Sequence, residues 1–333
     1  MTFQIVHSAL YFTDNEIDIA RSERGKHDHL QAAWSWLLAT SGDVLKETKP
    51  TEPDGEPIQH IKPWLTQNGQ LIEAAFRHRF DQQAPALAQT KALLGQGLGL
   101  QDQESLFETI TVTLAAAHAV EMVRADFPEA SRWLARFDRF SASLQSAHDQ
   151  ASWLDQQWLM VLDIVAGVLL DDHDRLQSAM TRYQHVIDSA IHPEGYFKPL
   201  ASNPPNAERA FHEMTLACAA LTLTAEAAAH VDMQLWQYEN RDVGINTAIT
   251  YLVYYYFYPD KWRWGEETLN EEQTQAIFRA DGAWLEMATR RVNPRGVELL
   301  LDDQRPFFNP YMGGLTTLSH FKTEKRRRRG LFG

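Results

Sequence analysis

The sequence contains a single cysteine, Cys218, so an intramolecular disulfide is excluded. It also lacks the basic excess of a general nucleic-acid-binding protein, because 31 lysines and arginines stand against 44 aspartates and glutamates, a formal net charge of −13. An anionic ligand would therefore have to be held by a local cluster of basic side chains, against the overall field of the protein.

Long apolar runs are missing as well. No uninterrupted stretch reaches the roughly 18 residues of a membrane-spanning helix, so we expect no membrane span. The first residues, Met-Thr-Phe-Gln-Ile-Val-His, lack the basic region and the apolar stretch of a signal peptide. We therefore expect a cytoplasmic protein from the sequence as it is printed. A secreted or periplasmic protein stays open if a leader has been removed.

The common metal and nucleotide motifs are also absent. No HExxH or CxxC pattern occurs, and the histidines at 27, 29 and 173 alternate with aspartates, as they do on solvated helix faces. The run from Gly95 to Gly99 lacks the Lys-Ser/Thr that would complete a phosphate-binding loop. We expect the protein to work without a metal or cofactor.

What the sequence does contain is helical periodicity over nearly its whole length. Helices are predicted at about 65–78, 84–95, 103–125, 128–147, 151–170, 173–190, 207–230, 243–258 and 270–291, after two earlier ones. The best strand candidate is Val-Glu-Leu-Leu-Leu at 297–301. Helical hairpins that recur every roughly 40–50 residues form solenoids or toroids, and irregular inserts towards one rim favour the toroid. We predict an all-α protein in which residues 1–333 form one incomplete α/α toroid and 292–333 are irregular.

Polar and aromatic residues gather at the helix ends between Arg209 and Trp264. One helix opens with Arg-Ala-Phe-His, and the next ends in Tyr-Tyr-Tyr-Phe-Tyr before the loop that holds Trp262, Arg263 and Trp264. A flat indole ring beside a guanidinium suits a sugar that carries a carboxylate. Ordinary core packing is the alternative for these tryptophans. The stretch favours a groove that holds a sugar chain.

Three segments follow one another in an order that is found in a known family. They read Trp-Leu-Asp-Gln-Gln-Trp at 153–158, Pro-Glu-Gly-Tyr-Phe-Lys-Pro at 193–199 and His-Val-Asp-Met-Gln-Leu-Trp-Gln-Tyr at 230–238. This order resembles the alginate lyase family of polysaccharide lyases. The resemblance implies an α/α toroid and a β-elimination on a uronate polymer. Where the family has Asn-Asn-His this chain has Trp153-Leu154-Asp155, and the family's tyrosine position falls on Phe211 or Met214.

β-Elimination needs a group that neutralises the carboxylate, a base for the proton next to it and an acid for the leaving oxygen. Arg209 and His212 lie three residues apart, on one face of an early helical turn, and would act as carboxylate clamp and base. A tyrosine is the predicted acid, and two glutamine amides replace the missing Asn/His pair. The predicted catalytic residues are His212, Arg209, Tyr196, Tyr238, Gln156 and Asp155, and the predicted substrate-binding residues are Gln157, Trp158, Lys198, Glu208, Trp262 and Arg263.

Two other functions fit the same residues. Asp155 with Glu208 or Glu213 would form the carboxylate pair of a glycoside hydrolase, although acids also stand at helix N-termini for purely structural reasons. A non-catalytic glycan-binding protein is the other alternative, because the family's tyrosine and Asn-Asn-His are replaced. The basic run at 325–329 is either a disordered end or a contact with an acidic partner or with the polymer itself. In all three cases the expected partner is an acidic polysaccharide or oligosaccharide.

Overall fold

Helices make up almost all regular structure in the computed structural model, which describes residues 5–8, 10–39, 63–292 and 294–322. A short antiparallel ribbon pairs Glu239–Asn240 with Val243–Gly244, and a π-helical turn at Val186–Ala190 continues the helix His173–His185. The elements are α1 (Asp14–Glu23), α2 (Asp28–Ala39), α3 (Thr66–Asp81), α4 (Ala84–Gly95), α5 (Leu106–Val123), α6 (Ala130–Gln145), α7 (Trp153–Leu170), α8 (His173–His185), α9 (Lys198–Ala201), α10 (Ala207–Ala229), β1 (Glu239–Asn240), β2 (Val243–Gly244), α11 (Ile245–Phe257), α12 (Glu271–Asp281), α13 (Trp284–Arg291), α14 (Val297–Gln304) and α15 (Thr316–His320).

Three long helices, α5, α7 and α10, form the centre of the molecule. Most of their residues are buried, as expected for helices that are largely apolar on every side. Two of them, α5 and α7, are long and apolar enough to span a membrane by composition, and the fold buries 83% and 72% of those stretches. Their apolar surface is thus largely covered by neighbouring helices.

The outer helices are amphipathic and pack against this inner layer. In α6 the buried side chains include Trp133, Phe137 and Leu144, while the remaining positions largely face outwards. At the α7–α8 hairpin a Cβ on Gly167 would lie 2.7 Å from a methyl group of Leu176. Glycine therefore lets the two helices approach closely.

The inner helices α5 and α7 run in the same direction. Near their starts the rings of Phe107 and Trp158 are 5.4 Å apart, and near their ends Arg124 Nη1 donates to the carbonyl of Leu169 over 3.0 Å. Helix α3 runs parallel to α5, with hydrogen bonds near both starts and both ends. The N-terminal ends of these helices consequently lie on the same side of the protein.

The inner helices follow one another around a ring. In order, α3, α5, α7, α10, α13 and α15 each contact the next, and α15 contacts α1 and α2, which pack on α3. The N-terminal helices and the short C-terminal helix thus fill the position between α13 and α3. This arrangement is the predicted toroid of helical hairpins.

The structure corrects two expectations for the C-terminal part. Residues 297–301 belong to helix α14 rather than to a strand, because Val297, Leu300, Leu301 and Gln304 are buried and the positions between them are exposed. That spacing is the period of a helix. The helix predicted over 270–291 is divided into α12 and α13 at Gly282. Residues 43–63, whose prolines and Gly55 predict a long loop, and the basic run at 325–329 lie outside the described part of the chain, apart from Pro63.

Candidate active site

The predicted residues gather mainly at the end of the toroid where α7 and α10 begin. Each helix starts with a side-chain cap, since Ser152 Oγ accepts from the amide of Asp155 and Asn206 Oδ1 accepts from the amide of Arg209. The exposed amides of a helix N-terminus carry partial positive charge and stabilise anions. This end of the protein therefore suits a ligand that carries carboxylates.

The loop from Ile191 to Phe197 lies between the starts of α7 and α11. Its ends form an antiparallel bridge, and the ring of Phe197 lies 5.6 Å from that of Trp153 at the start of α7. Gly195 has a φ of +108°, and a Cβ there would lie 2.5 Å from the Cβ of Tyr251. Only glycine fits both the backbone conformation and the contact. The loop is fixed by these contacts, and it carries the predicted Tyr196.

A second loop, which contains Arg263 and Trp264, lies beside the start of α10. Gly265 has a φ of +89°, and a Cβ there would lie 2.3 Å from the amide nitrogen of Ala207. The ring of Trp264 is 4.7 Å from that of Tyr196, and Arg263 lies over both rings while it pairs with Glu194. These side chains form a partly exposed patch of aromatic rings and a cation, which we call the Tyr196 patch (Tyr196, Arg263 and Trp264).

His212, in the second turn of α10, is held by a buried carboxylate. Its Nε2 lies 2.8 Å from Oδ2 of Asp281, which is 2% exposed, whereas the His212 side chain is 31% exposed. The other oxygen of Asp281 accepts from Tyr311 Oη over 2.7 Å and from Asn309 Nδ2 over 3.2 Å. A carboxylate that accepts from Nε2–H leaves Nδ1 of the neutral ring as its basic nitrogen. His212 therefore has the arrangement of a general base.

The buried Tyr311 is a fixed hydrogen-bond donor to Asp281. Burial and the adjacent charge of Asp281 raise its pKa well above the usual value of 10, so the hydroxyl keeps its proton. Its ring packs on Trp158 at 5.4 Å and on Phe107 at 6.1 Å, edge to face in both cases. The contacts of Tyr311 thus connect Asp281 to α7 and α5.

The other predicted residues of α10 lie on its solvent side. The side chain of Arg209 is 62% exposed, and its Nε donates to Glu213 Oε1 over 2.7 Å within the same helix. Glu208 accepts from Gln273 Nε2 over 3.0 Å. The exposed ion pair between Arg209 and Glu213 contributes at most about 1 kcal/mol to the stability of the fold. Arg209 can therefore leave Glu213 for a substrate carboxylate at little cost.

The predicted residues of α7 are bound to their own chain. Asp155 accepts from Ser152 Oγ over 2.7 Å, and the amide of Gln156 donates to the carbonyls of His148 and Ala151 over 3.3 Å. Gln157 is buried and donates to the carbonyl of Trp153 over 2.8 Å. Both amides bind main-chain oxygens in this structure and would have to be released to bind a substrate.

Two predicted substrate-binding tryptophans lie in the core. Trp158 is fully buried against Phe107 and Tyr311. Trp262 is 7% exposed, with its ring edge to face against those of Phe211 and Tyr255. Each ring is covered because it fills a gap between helices. The rings of the Tyr196 patch are partly exposed, and Tyr254, Phe257 and Tyr258 are exposed at the end of α11.

Tyr238 lies at the flank of the site, next to the π-helical turn. Its hydroxyl donates to both oxygens of Asp188, over 3.1 and 3.2 Å, and Asn240 Nδ2 donates to the same carboxylate over 2.7 Å. Partial desolvation and this hydrogen bond raise the pKa of Tyr238. Its proton is therefore committed to Asp188. Lys198, at the start of α9, is exposed.

Sequence reasoning missed the three residues behind His212. Asp281 follows it by 69 positions, and Asn309 and Tyr311 come later still. No local motif marks any of them, because their role depends on a contact between distant segments. Across the described residues, no three or more His, Cys, Asp or Glu side chains are grouped as metal ligands would be.

Comparisons with known proteins agree with this architecture. The sequence model of the alginate lyase family matches residues 73–264. Alginate lyase A1-III from Sphingomonas species A1 has a similar structure, with a TM-score of 0.73 at 18% identity over 96% of this chain and 98% of that one. A variant of alginate lyase A1-III complexed with tetrasaccharide gives a TM-score of 0.71 at 16% identity, with the same coverage. An alginate lyase from Bacteroides ovatus gives a TM-score of 0.69 at 10% identity, over 95% of this chain and 99% of that one.

No curated protein matches the sequence. At the identities of the solved structures the likeness shows the fold, an α/α toroid, over nearly the full length of each chain.

Proposed function

Because this chain belongs to the alginate lyase family of polysaccharide lyases, we propose that it cleaves a uronic-acid-containing polysaccharide or oligosaccharide by β-elimination. The observation that carries the proposal is the hydrogen bond between His212 and the buried Asp281 at the start of α10. It gives the site a base on the side of the protein where helix N-termini favour a carboxylate.

The site also offers groups that would hold an acidic sugar. Arg209 and Arg263 supply positive charge in a protein whose formal net charge is −13. The partly exposed rings of Tyr196 and Trp264 supply apolar surface for a sugar, with His192 stacked on Tyr196 at 4.4 Å and Arg263 over both rings. The tetrasaccharide complex of alginate lyase A1-III supports an oligosaccharide substrate for the present protein as well.

The proposed reaction needs only these side chains. Nδ1 of His212 removes the proton at C5, next to the C6 carboxylate that Arg209 neutralises. The electron pair of that C–H bond forms the C4–C5 double bond, and the bond between C4 and the glycosidic oxygen breaks. Tyr196 protonates the leaving oxygen. Tyr196 suits this role better than Tyr238, whose hydroxyl is bound to Asp188.

The hydrolase alternative has less support. Asp155, Glu208 and Glu213 would supply its carboxylate pair, and each is bound to a separate partner, Ser152, Gln273 and Arg209 respectively. Nothing in these contacts pairs one acid with another. A lyase and a hydrolase also differ in product, since only elimination leaves a double bond that absorbs ultraviolet light.

The test is an incubation with alginate, polyglucuronate and polygalacturonate, followed by ultraviolet absorbance and by reducing ends. We expect both signals to rise together on at least one polymer. Reducing ends without absorbance would show hydrolysis, and neither signal, with retained binding, would show a glycan-binding protein.

A pair of histidine variants tests the base. His212→Ala should abolish the ultraviolet absorbance of the product and keep the helical circular dichroism, because its side chain is partly exposed and fills no core position. The matched control is His185→Ala, which removes an exposed histidine from α8 and should retain wild-type activity. Equal activity of the two variants would exclude His212 as the base.

A further inference from the structure

Asp281, Asn309 and Tyr311 all lie beyond residues 73–264, the part of the chain that the family model matches. They nevertheless form the hydrogen-bonded support of His212. We infer that Asp281 is a positioning residue for His212 and that the chain after residue 264 completes the active site. The inference rests on the proposed function, because it assigns the support of the base named there.

Asp281 is fixed in place by its own surroundings. It is the last residue of α12, and the next residue is Gly282, where a Cβ would lie 2.3 Å from the carbonyl oxygen of Phe278. Asn309 holds the end of this helix by donating to the carbonyl of Ala280 over 3.0 Å as well as to Asp281. The carboxylate therefore keeps one orientation.

A turn in the C-terminal segment places the side chains of Asn309 and Tyr311 at Asp281. The main chains of Asn309 and Gly314 exchange hydrogen bonds of 3.0 and 2.9 Å, which closes a tight turn. Within this turn Asn309 Oδ1 accepts from the amide of Tyr311 over 3.1 Å. The turn is buried, so its two donors remain aimed at Asp281 without competition from water.

The two oxygens of Asp281 have different partners, and this asymmetry fixes which nitrogen of His212 carries the proton. One oxygen accepts from Tyr311 and Asn309, and the other accepts from His212. The proton of neutral His212 is thereby placed on Nε2, and Nδ1 is left to accept the substrate proton. When it does so, the carboxylate stabilises the imidazolium without taking a proton itself.

The variant Asp281→Asn uses this asymmetry. The amide oxygen should take the position that faces the two donors, so that the NH₂ group faces His212 and donates to Nε2. The neutral ring must then carry its proton on Nδ1, and the substrate side loses its base. We expect kcat to fall by about 10²–10⁴-fold, with KM changed by less than about threefold.

Nitrogen-15 NMR of His212 gives a readout that does not depend on activity. The wild-type ring should be the Nε2–H tautomer, and the Asp281→Asn ring should be the Nδ1–H tautomer.

Two further variants keep the test decisive. Tyr311→Phe removes one donor and should reduce kcat by about tenfold or less, with the wild-type tautomer retained. Asp163→Asn is the matched control, because Asp163 is also a buried aspartate, bound to Arg182 over 3.0 Å and to Ser178 over 3.3 Å, and it lies outside the site. It should leave the tautomer of His212 unchanged.

A folded Asp281→Asn protein with wild-type kcat and an Nε2–H ring would overturn the inference. Failure of the proposed function has a different signature. Wild-type protein would then release no unsaturated product from any polymer, while the NMR experiment would still decide whether Asp281 sets the tautomer of His212.

Discussion

The most informative stability test is Arg291→Met, which removes the main partner of a buried carboxylate. Glu226, near the end of α10, is 1% exposed and receives two hydrogen bonds from Arg291, of 2.9 and 2.7 Å. It also accepts from Trp236 Nε1 over 3.0 Å. Because Arg291 belongs to α13, this pair joins two neighbouring inner helices of the toroid.

The expected magnitude follows from the pKa of Glu226. Burial by itself would raise this pKa, but hydrogen bonds from His230 and Arg291 lower it from 4.5 to about 2. The difference corresponds to about 3 kcal/mol of stability, present above pH 4.5 and lost as the pH falls from there through 2. Removal of one partner of a buried pair costs about 3–5 kcal/mol. We therefore expect Arg291→Met to lower the free energy of unfolding by about 3–5 kcal/mol at pH 7.

Arg291→Met should also change how the free energy of unfolding depends on pH. Without Arg291, burial raises the pKa of Glu226, so the variant's native state takes up a proton at higher pH than the wild type. The difference in unfolding free energy should then shrink by about 1–2 kcal/mol between pH 7 and pH 4, since one proton is worth about 1.4 kcal/mol per pH unit.

Urea unfolding at both pH values, followed by circular dichroism, measures these quantities. The control is Lys26→Met, which breaks the exposed pair with Glu23 and should change stability by less than about 0.5 kcal/mol. If Arg291→Met lowers the free energy of unfolding by less than about 1 kcal/mol, or by the same amount at both pH values, the role assigned to the Arg291–Glu226 pair is wrong.

Four other predictions follow from single contacts. Tyr196→Phe should lower kcat about 100-fold or more with little change in KM, whereas Tyr238→Phe should keep most of the activity; steady-state kinetics with equal losses would contradict the choice of acid. Gly195→Ala should reduce activity by distorting the loop, because its φ is +108° and its Cβ would meet Tyr251; unchanged kinetics would count against a fixed loop. Gly167→Ala should destabilise the protein by about 1–3 kcal/mol through overpacking against α8, as a lower urea midpoint would show. Burial lowers the pKa of His320 from 6.5 to about 4, so wild-type stability should decline as the pH falls from 6.5 through 4; His320→Gln should flatten that decline.

Some features of the fold could be predicted closely from the sequence. The helix predicted over 84–95 has those bounds in the structure, and those predicted over 151–170 and 207–230 are the central helices α7 and α10 with slightly different ends. Their signals are local, since apolar periodicity, a cap and a breaker lie within a few turns of one another. The prediction was wrong at 297–301, where a short apolar run fits a strand and a helix equally well and only burial distinguishes them.

The candidate site was less accessible to such reasoning. Trp158 and Trp262 are of the residue type that binds sugars, but whether a tryptophan ring is buried or exposed depends on the side chains that pack over it. Gln156 and Gln157 likewise have amides suited to a carboxylate, and the fold directs them to main-chain carbonyls. The preference for Tyr196 over Tyr238 as the proposed acid depends on the hydrogen bond between Tyr238 and Asp188, which no sequence pattern connects.

The sequence by itself determined the helices, their hairpin rhythm and the family resemblance, because each is encoded by neighbours along the chain. The tertiary structure alone decided which side chains surround His212. Asp281 lies 69 residues further on, and Asn309 and Tyr311 stand in a C-terminal turn that no helical pattern predicts. These residues meet because α12 packs on α10 and the C-terminal turn binds the end of α12. Such a contact depends on the path of the whole chain, and a local pattern carries no record of it.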